Sequence, residues 1–327
     1  MKSENMHAKE RAGGGMGNQI NKDFSRWKGI GLALAGASLW GFSGNAAEWI
    51  FSHSAVTATW LVSVRMIMAG VLLLFLVSFH HNIFGVWKDK RDRMDLLVFS
   101  LTGMLGAQLT FFLSIEAGNA PTATLLQFLG PVFITIYFAI KFLKWPKRKE
   151  WIAVLLALSG TFLLLTNGQL DKITVSKEAI FWGVLSGVSV AVYTVYPVRL
   201  LKRYASATIV GWAMLLGGLA VSIWTQPWQA GFIDWSLSLF WMLAFVVIFG
   251  TLLPFYLYLD SLKYITSTET SLLGSAEPLV ATIVSVVWLG TAFGSFQTAG
   301  GMLIILTVFL LSMPEKGILK VNQTVNK

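Results

Sequence analysis

Long stretches in which nearly every residue is apolar recur along the chain, separated by short polar segments. A bilayer core about 30 Å thick takes roughly 20 apolar residues wound as helix. The stretches predict ten membrane-spanning helices, over residues 29–51, 55–79, 95–115, 120–140, 151–166, 179–197, 206–225, 236–259, 267–288 and 292–313. Residues 1–28 are polar, with three glycines in a row at 13–15, and predict a disordered cytoplasmic tail. Residues 314–327 read as a second, C-terminal tail. The first span is long for the apolar part of a signal peptide and carries Trp40, so it reads as a retained helix.

Composition agrees with this pattern. Only 13% of the 327 residues are charged and 55% are hydrophobic, against about 25% charged in soluble domains. That excludes an ordinary soluble protein and a disordered one. The net charge of +9 is explained by its distribution. With ten spans, 22 of the 25 Lys and Arg fall on one side, Lys172 and Lys177 on the other, and Arg65 inside span two. Basic loops stay in the cytoplasm, which places both termini there. The charge therefore gives no reason to expect nucleic acid as a partner. The absence of cysteine excludes disulfides, thiolate metal sites and cysteine nucleophiles.

The chain also repeats itself. At an offset of 147, Gly103 falls on Gly250, Leu125 and Leu126 on Leu272 and Leu273, Pro131 on Pro278, and Phe162 on Phe309. Near the start of each half the offset drifts to 151, where Gly36, Ala37 and Ser38 meet Gly187, Val188 and Ser189. Two five-helix repeats follow, over 29–166 and 179–313. Five is odd, so the second enters the membrane from the opposite side. Inverted repeats are a mark of secondary transporters.

Leu39-Trp40-Gly41-Phe42-Ser43, Arg65 in span two, the proline of span four and Glu277-Pro278 in span nine resemble the EamA-type branch of the drug/metabolite transporter superfamily. The resemblance covers both repeats. It implies a ten-helix carrier with a central cavity that moves small metabolites, amino acids or drugs, often outward. Glu48 departs from the family pattern, in which a basic or neutral residue is common near that place, so it does not carry over a substrate charge.

A charge at the bilayer centre costs about 2.5–3.5 kcal/mol on insertion scales, and residues that incur this cost mark function by default. Arg65 and Glu277 each lie ten residues into their spans, at mid-membrane depth, where the sister repeat has glycine. Two readings stand side by side: a structural ion pair, or an Arg and a Glu each tied to backbone carbonyls, against a cavity carboxylate that binds a proton or a cationic group, with Arg65 tuning it or gripping a substrate carboxylate. Pro131 and Pro278 lie eleven residues into their helices and are candidate hinges. Each deprives a carbonyl one turn back, Gln127 or Gly274, of its donor. Trp40, Asn45, Gln108, Gln127, Tyr193 and Tyr256 complete the candidate substrate-binding or coupling set. The four histidines are scattered, so no metal site or cofactor is expected.

The reading is a secondary active transporter in a bacterial plasma membrane. It would move a small metabolite by alternating access, as a proton- or ion-coupled (H+ or Na+) exporter or exchanger. Its partners would be the solute and the lipid bilayer, as a monomer or homodimer. An intramembrane enzyme acting on lipid headgroups and a small-solute channel are the alternatives. The enzyme lacks the clustered Asp and His it would need, and the Gly-x-x-x-x-Gly-Lys-Ser/Thr of an ATP-driven pump is missing.

Overall fold

The computed structural model describes residues 2–143, 148–169, 175–229, 231, 233–261, 264, 265, 270, 273, 274 and 276–312. The C-terminal tail and the expected start of span nine at Ser267 lie outside the described residues. Among the described residues every regular element is helical. Six helices are long and apolar enough to cross a membrane, and the shorter apolar helices Trp151–Thr166, Ala276–Trp288 and Ser295–Thr307 accompany them. Their outer faces leave Ile140, Ile223 and Val287 at least 70% exposed. Apolar surface on that scale is accounted for by lipid.

The chain begins with α1 (Lys2–His53), whose backbone stays helical through the stretch expected as a tail. No proline lies before it or within it to interrupt the hydrogen-bond ladder. After α2 (Ala58–Ser78), the third crossing runs from α3 (Lys90–Val98) through a π-helical segment at Phe99–Leu105 into α4 (Gly106–Glu116). The fourth is broken in the middle: α5 (Ala120–Gln127) ends, two residues turn, and α6 (Gly130–Phe142) starts afresh. Then come α7 (Arg148–Thr166), α8 (Lys177–Val195), the short α9 (Val198–Leu201) and α10 (Ser206–Thr225). The crossing of α11 (Leu237–Val247) and α12 (Leu253–Ser261) again passes through a π-helical segment, Ile248–Leu252. The last two helices are α13 (Ala276–Trp288) and α14 (Ser295–Ser312).

Packing follows the internal repeat. Corresponding helices face each other, α2 against α10 and α7 against α14, while α1 packs on α12 and α13 as α8 packs on α4 and α5. Equivalent helices of the two halves thus make equivalent contacts. The π-helical segments obey it too: Gly103 and Gly250, equated by the repeat, each lie in one. A methyl group on Gly103 would fall 3.2 Å from the Tyr193 Cα on α8, and one on Gly250 would strike the Ser43 side chain on α1. Each glycine thus lets the first helix of the other repeat approach closely. Such irregular turns within helices often accompany functional sites.

Candidate substrate cavity

A cavity of about 620 Å³ lies between the two halves. It runs from the middle of the bundle to Pro197, Leu201 and Ser206, beside the end that carries Arg199, Lys202 and Arg203. Six of the side chains singled out in the sequence line it: Trp40, Arg65, Gln108, Gln127, Tyr193 and Glu277. They come from α1, α2, α4, α5, α8 and α13, so no single element builds the site.

Arg65 and Glu277 are the charged members of the described lining. They do not form an ion pair, which corrects the structural-pair reading. Arg65 is only 3% exposed, its Nε and Nη1 have no hydrogen-bond partner, and its guanidinium carbon lies 4.3 Å from the Phe112 ring centroid. A cation over an aromatic face is attracted by the ring's electron density, and this contact stabilises the guanidinium. Glu277, in the first turn of α13, has no hydrogen-bonded or ionic partner among the described residues. Phe112 carried no sequence signal, being one phenylalanine in an apolar run.

Asn45 does not line the cavity. Its amide donates to the Gly41 carbonyl (2.9 Å) and the Ala281 carbonyl (3.0 Å), tying α1 to α13 one turn beyond Glu277. A Cβ on Gly41 would fall 2.7 Å from the Glu277 carbonyl oxygen, so close approach here needs glycine. Asn45 is therefore a positioning residue for Glu277. Gln127 donates to the Ser186 hydroxyl (2.7 Å) across the α5–α8 contact. Trp40 meets Phe255 edge-on at 5.1 Å and Tyr258 at 5.2 Å, which builds an aromatic wall beside Glu277.

Tyr256 is 58% exposed and points away from the cavity, while Tyr258 lines it. At 3.6 residues per turn, positions two apart face nearly opposite ways, so only one of them can point inward. Pro131 is not a kink inside a continuous helix. It occupies the first turn of α6, where a missing N–H breaks no bond, and the chain turns before it. Pro278 lies two residues into the described part of α13, and Ser275 just before it lies outside the described residues. The carbonyl-bearing residues one turn before them, Gln127 and Gly274, both line the cavity.

At the opposite end of the bundle two carboxylates hold the starts of helices. A Glu48 oxygen accepts from the Ala120 N–H (2.8 Å) at the start of α5, and the Thr291 hydroxyl reaches its other oxygen at 3.5 Å. Glu116 accepts from the Ala58 N–H (2.9 Å) at the start of α2. Carboxylates are favoured at helix N-termini, where free N–H groups converge. The sequence reading gave Glu116 no role, because a carboxylate at a span end reads as solvated. Among the described residues no three His, Asp or Glu converge as a metal would require.

The model of the EamA-like transporter family matches residues 27–166 and again 177–313. The uncharacterized inner membrane transporter YicL of Salmonella typhimurium is 38% identical over 88% of this chain and 96% of its own. The uncharacterized transporter YyaM of Bacillus subtilis is 25% identical over 86% and 93%. The threonine/homoserine exporter RhtA of Escherichia coli is 25% identical over 68% and 72%. One crystal structure of a protein 16% identical superposes with a TM-score of 0.59 over 91% of this chain and 99% of that one, which shows the fold. With two family matches spanning its helices, the chain belongs to the EamA-like transporter family and is an integral membrane transporter of the drug/metabolite transporter superfamily.

Proposed function

We propose that this transporter is a secondary active carrier. It moves a small metabolite out of the cell by alternating access, in exchange for protons or another coupling ion. In this reading ten helices cross the plasma membrane as two inverted repeats, with both termini in the cytoplasm. The similarity to a threonine/homoserine exporter supports outward transport of a small solute. The observation that carries the reading is a cavity between the halves that bears two unpartnered opposite charges and reaches toward the basic end, while carboxylates hold helix starts at the other end. In a carrier this is the inward-facing state, and rocking the halves would open the end held by Glu48 and Glu116.

Glu277 gives the exchange its chemistry. One carboxylate can hold a proton or a cationic group, but not both, so protonation from outside would release the solute there. The experiment is efflux from proteoliposomes under an imposed pH gradient, with labelled threonine, homoserine, apolar amino acids and amines as solutes. Glu277→Gln keeps the shape and cannot exchange a proton. It should abolish pH-driven movement, and whatever solute-for-solute exchange remains should no longer depend on pH. Wild-type pH dependence in that variant would overturn proton coupling through Glu277.

A further inference from the structure

We propose that Glu48 is a second proton-binding residue of the transport cycle: the outer end comes together over its protonated carboxyl and parts again when it ionises. The inference rests on the carrier reading and deepens it, by naming a group that answers to protons on the outer side.

Glu48 lies in the last turns of α1, half-buried where three segments meet. One turn earlier, Gly44 brings α1 against the start of α5, where a Cβ would fall 3.3 Å from the Ala120 Cβ. The first N–H groups of a helix have no carbonyl behind them and need other partners. Asn119 takes two of those of α5, the Thr122 N–H on its side chain at 2.9 Å and the Ala123 N–H on its carbonyl at 3.1 Å. Pro121 has none. The Ala120 N–H remains, and Glu48 Oε2 accepts it at 2.8 Å. Oε1 faces the Thr291 hydroxyl at 3.5 Å, in the turn between α13 and α14, and that hydroxyl accepts the Ser285 O–H at 2.9 Å. One carboxyl thus joins the first repeat, through α1 and α5, to the second.

No cation offsets its charge. The helices α5 and α14 and the turn before α14 carry no ionisable side chain, and α13 has only Glu277, at its other end. On α1, His53 stacks on Trp49 at 4.5 Å, and Glu116, at the end of α4, is taken up by the Ala58 N–H. Among the described residues neither these groups nor Lys177, Glu178 or Asp234 forms an ion pair with Glu48. The internal repeat supplies a contrast. At the offset of 151 Glu48 falls on Arg199, which Asp92 and Asp95 neutralise, each at 2.7 Å.

Enclosing the ionised form of Glu48 without a counter-charge costs more than enclosing the neutral form. A neutral carboxyl needs one donor for its carbonyl oxygen and one acceptor for its O–H. Ala120 supplies the donor, and the Thr291 hydroxyl, turned round, the acceptor. When the halves part at this end, water solvates the carboxylate and the proton leaves to the outside. Closing therefore takes up a proton from the outer side, so outside acidity favours the return of the emptied carrier. That direction serves an exporter which exchanges solute for protons.

The absence of cysteine permits a distance measurement. Spin labels at Lys177→Cys and Ala292→Cys, both exposed at the outer end, report its separation by double electron–electron resonance in nanodiscs between pH 8 and pH 4.5. Glu277→Gln in the background removes the mid-membrane carboxyl. The expected result is a short and a long separation, the short one gaining as pH falls, by up to about tenfold per pH unit, the limit for one proton. Adding Glu48→Gln, which keeps the shape and never ionises, should hold the short separation at every pH. A purely structural bond would leave the pH dependence as it was. Thr291→Val removes the acceptor for the O–H and should weaken the dependence, which keeps the test open if Glu48→Gln misfolds. A ratio independent of pH, a long separation that gains as pH falls, or an unchanged dependence in these variants overturns the proposal and leaves the carrier reading intact. A single separation at every pH, with Glu277 present as well as replaced, overturns both.

Discussion

The amide of Asn45 bonds to the carbonyl of Ala281 at 3.0 Å, one helical turn beyond Glu277. This joins the first helix of one repeat to the cavity helix of the other. Interhelical hydrogen bonds in membranes contribute about 0.6 kcal/mol on average and up to about 1.7 kcal/mol. Asn45→Ala should lower the melting temperature of the detergent-solubilised protein by a corresponding few degrees and reduce transport several-fold. An unchanged transport rate would show that Asn45 does not position Glu277.

Gly41 tests the same contact by crowding it. Its missing side chain makes room for the Glu277 carbonyl, and overpacking such a site costs about 1–3 kcal/mol. Gly31, on the same helix, has nothing within 4 Å of where its Cβ would be. Gly41→Ala should therefore destabilise and slow the carrier, whereas Gly31→Ala should be neutral or slightly stabilising through helix propensity. Thermal melts of the two variants decide it.

At the basic end, Asp92 is fully buried and receives Arg199 at 2.7 Å, Arg203 at 2.6 Å and the Tyr204 hydroxyl at 2.7 Å. It joins α3 to the segment around α9. Asp92→Ala strands the donors around it and should destabilise more than Arg203→Ala, which leaves Arg199 and Tyr204 in place. Asp89 caps α3, accepting from the backbone N–H groups of Asp92 and Arg91, and these bonds hold its carboxyl below the usual aspartate range. Its stabilisation is complete above the ordinary aspartate pKa of about 3.9 and fades as pH falls through the lower folded value. Asp89→Ala should remove that part of the acid sensitivity, read from melts between pH 3 and 6 on the same detergent-solubilised protein.

Arg65 and Glu277 do not form an ion pair, so their replacements should not compensate each other. The stability changes of Arg65→Ala and Glu277→Ala should add in the double variant to within about 0.5 kcal/mol. A double variant clearly better folded than either single one would show an ion pair instead.

The depth of Arg65 and Glu277 was legible because a charge in an apolar run is costly wherever it faces. Which face of a helix meets the cavity was not. Span eight is apolar on all sides, so nothing distinguished Tyr258 from Tyr256. Pro131 marked a break in its span, but a proline in an apolar run reads equally as a kink or as a fresh start. The π-helical segments left one trace, the equivalence of Gly103 and Gly250. Asp92 left none, since an aspartate among Lys and Arg reads as solvated until the fold buries it.

Alternating access is the central claim, and the natural absence of cysteine makes it directly measurable. Gln108→Cys places one thiol in the cavity wall. Labelling by a membrane-impermeant maleimide should come from the cytoplasmic side in the solute-free carrier. It should shift to the outer side, with the cytoplasmic reaction suppressed, when a pH gradient or solute drives the other state. Simultaneous labelling from both sides, as in a channel, or labelling from one side under every condition would contradict it.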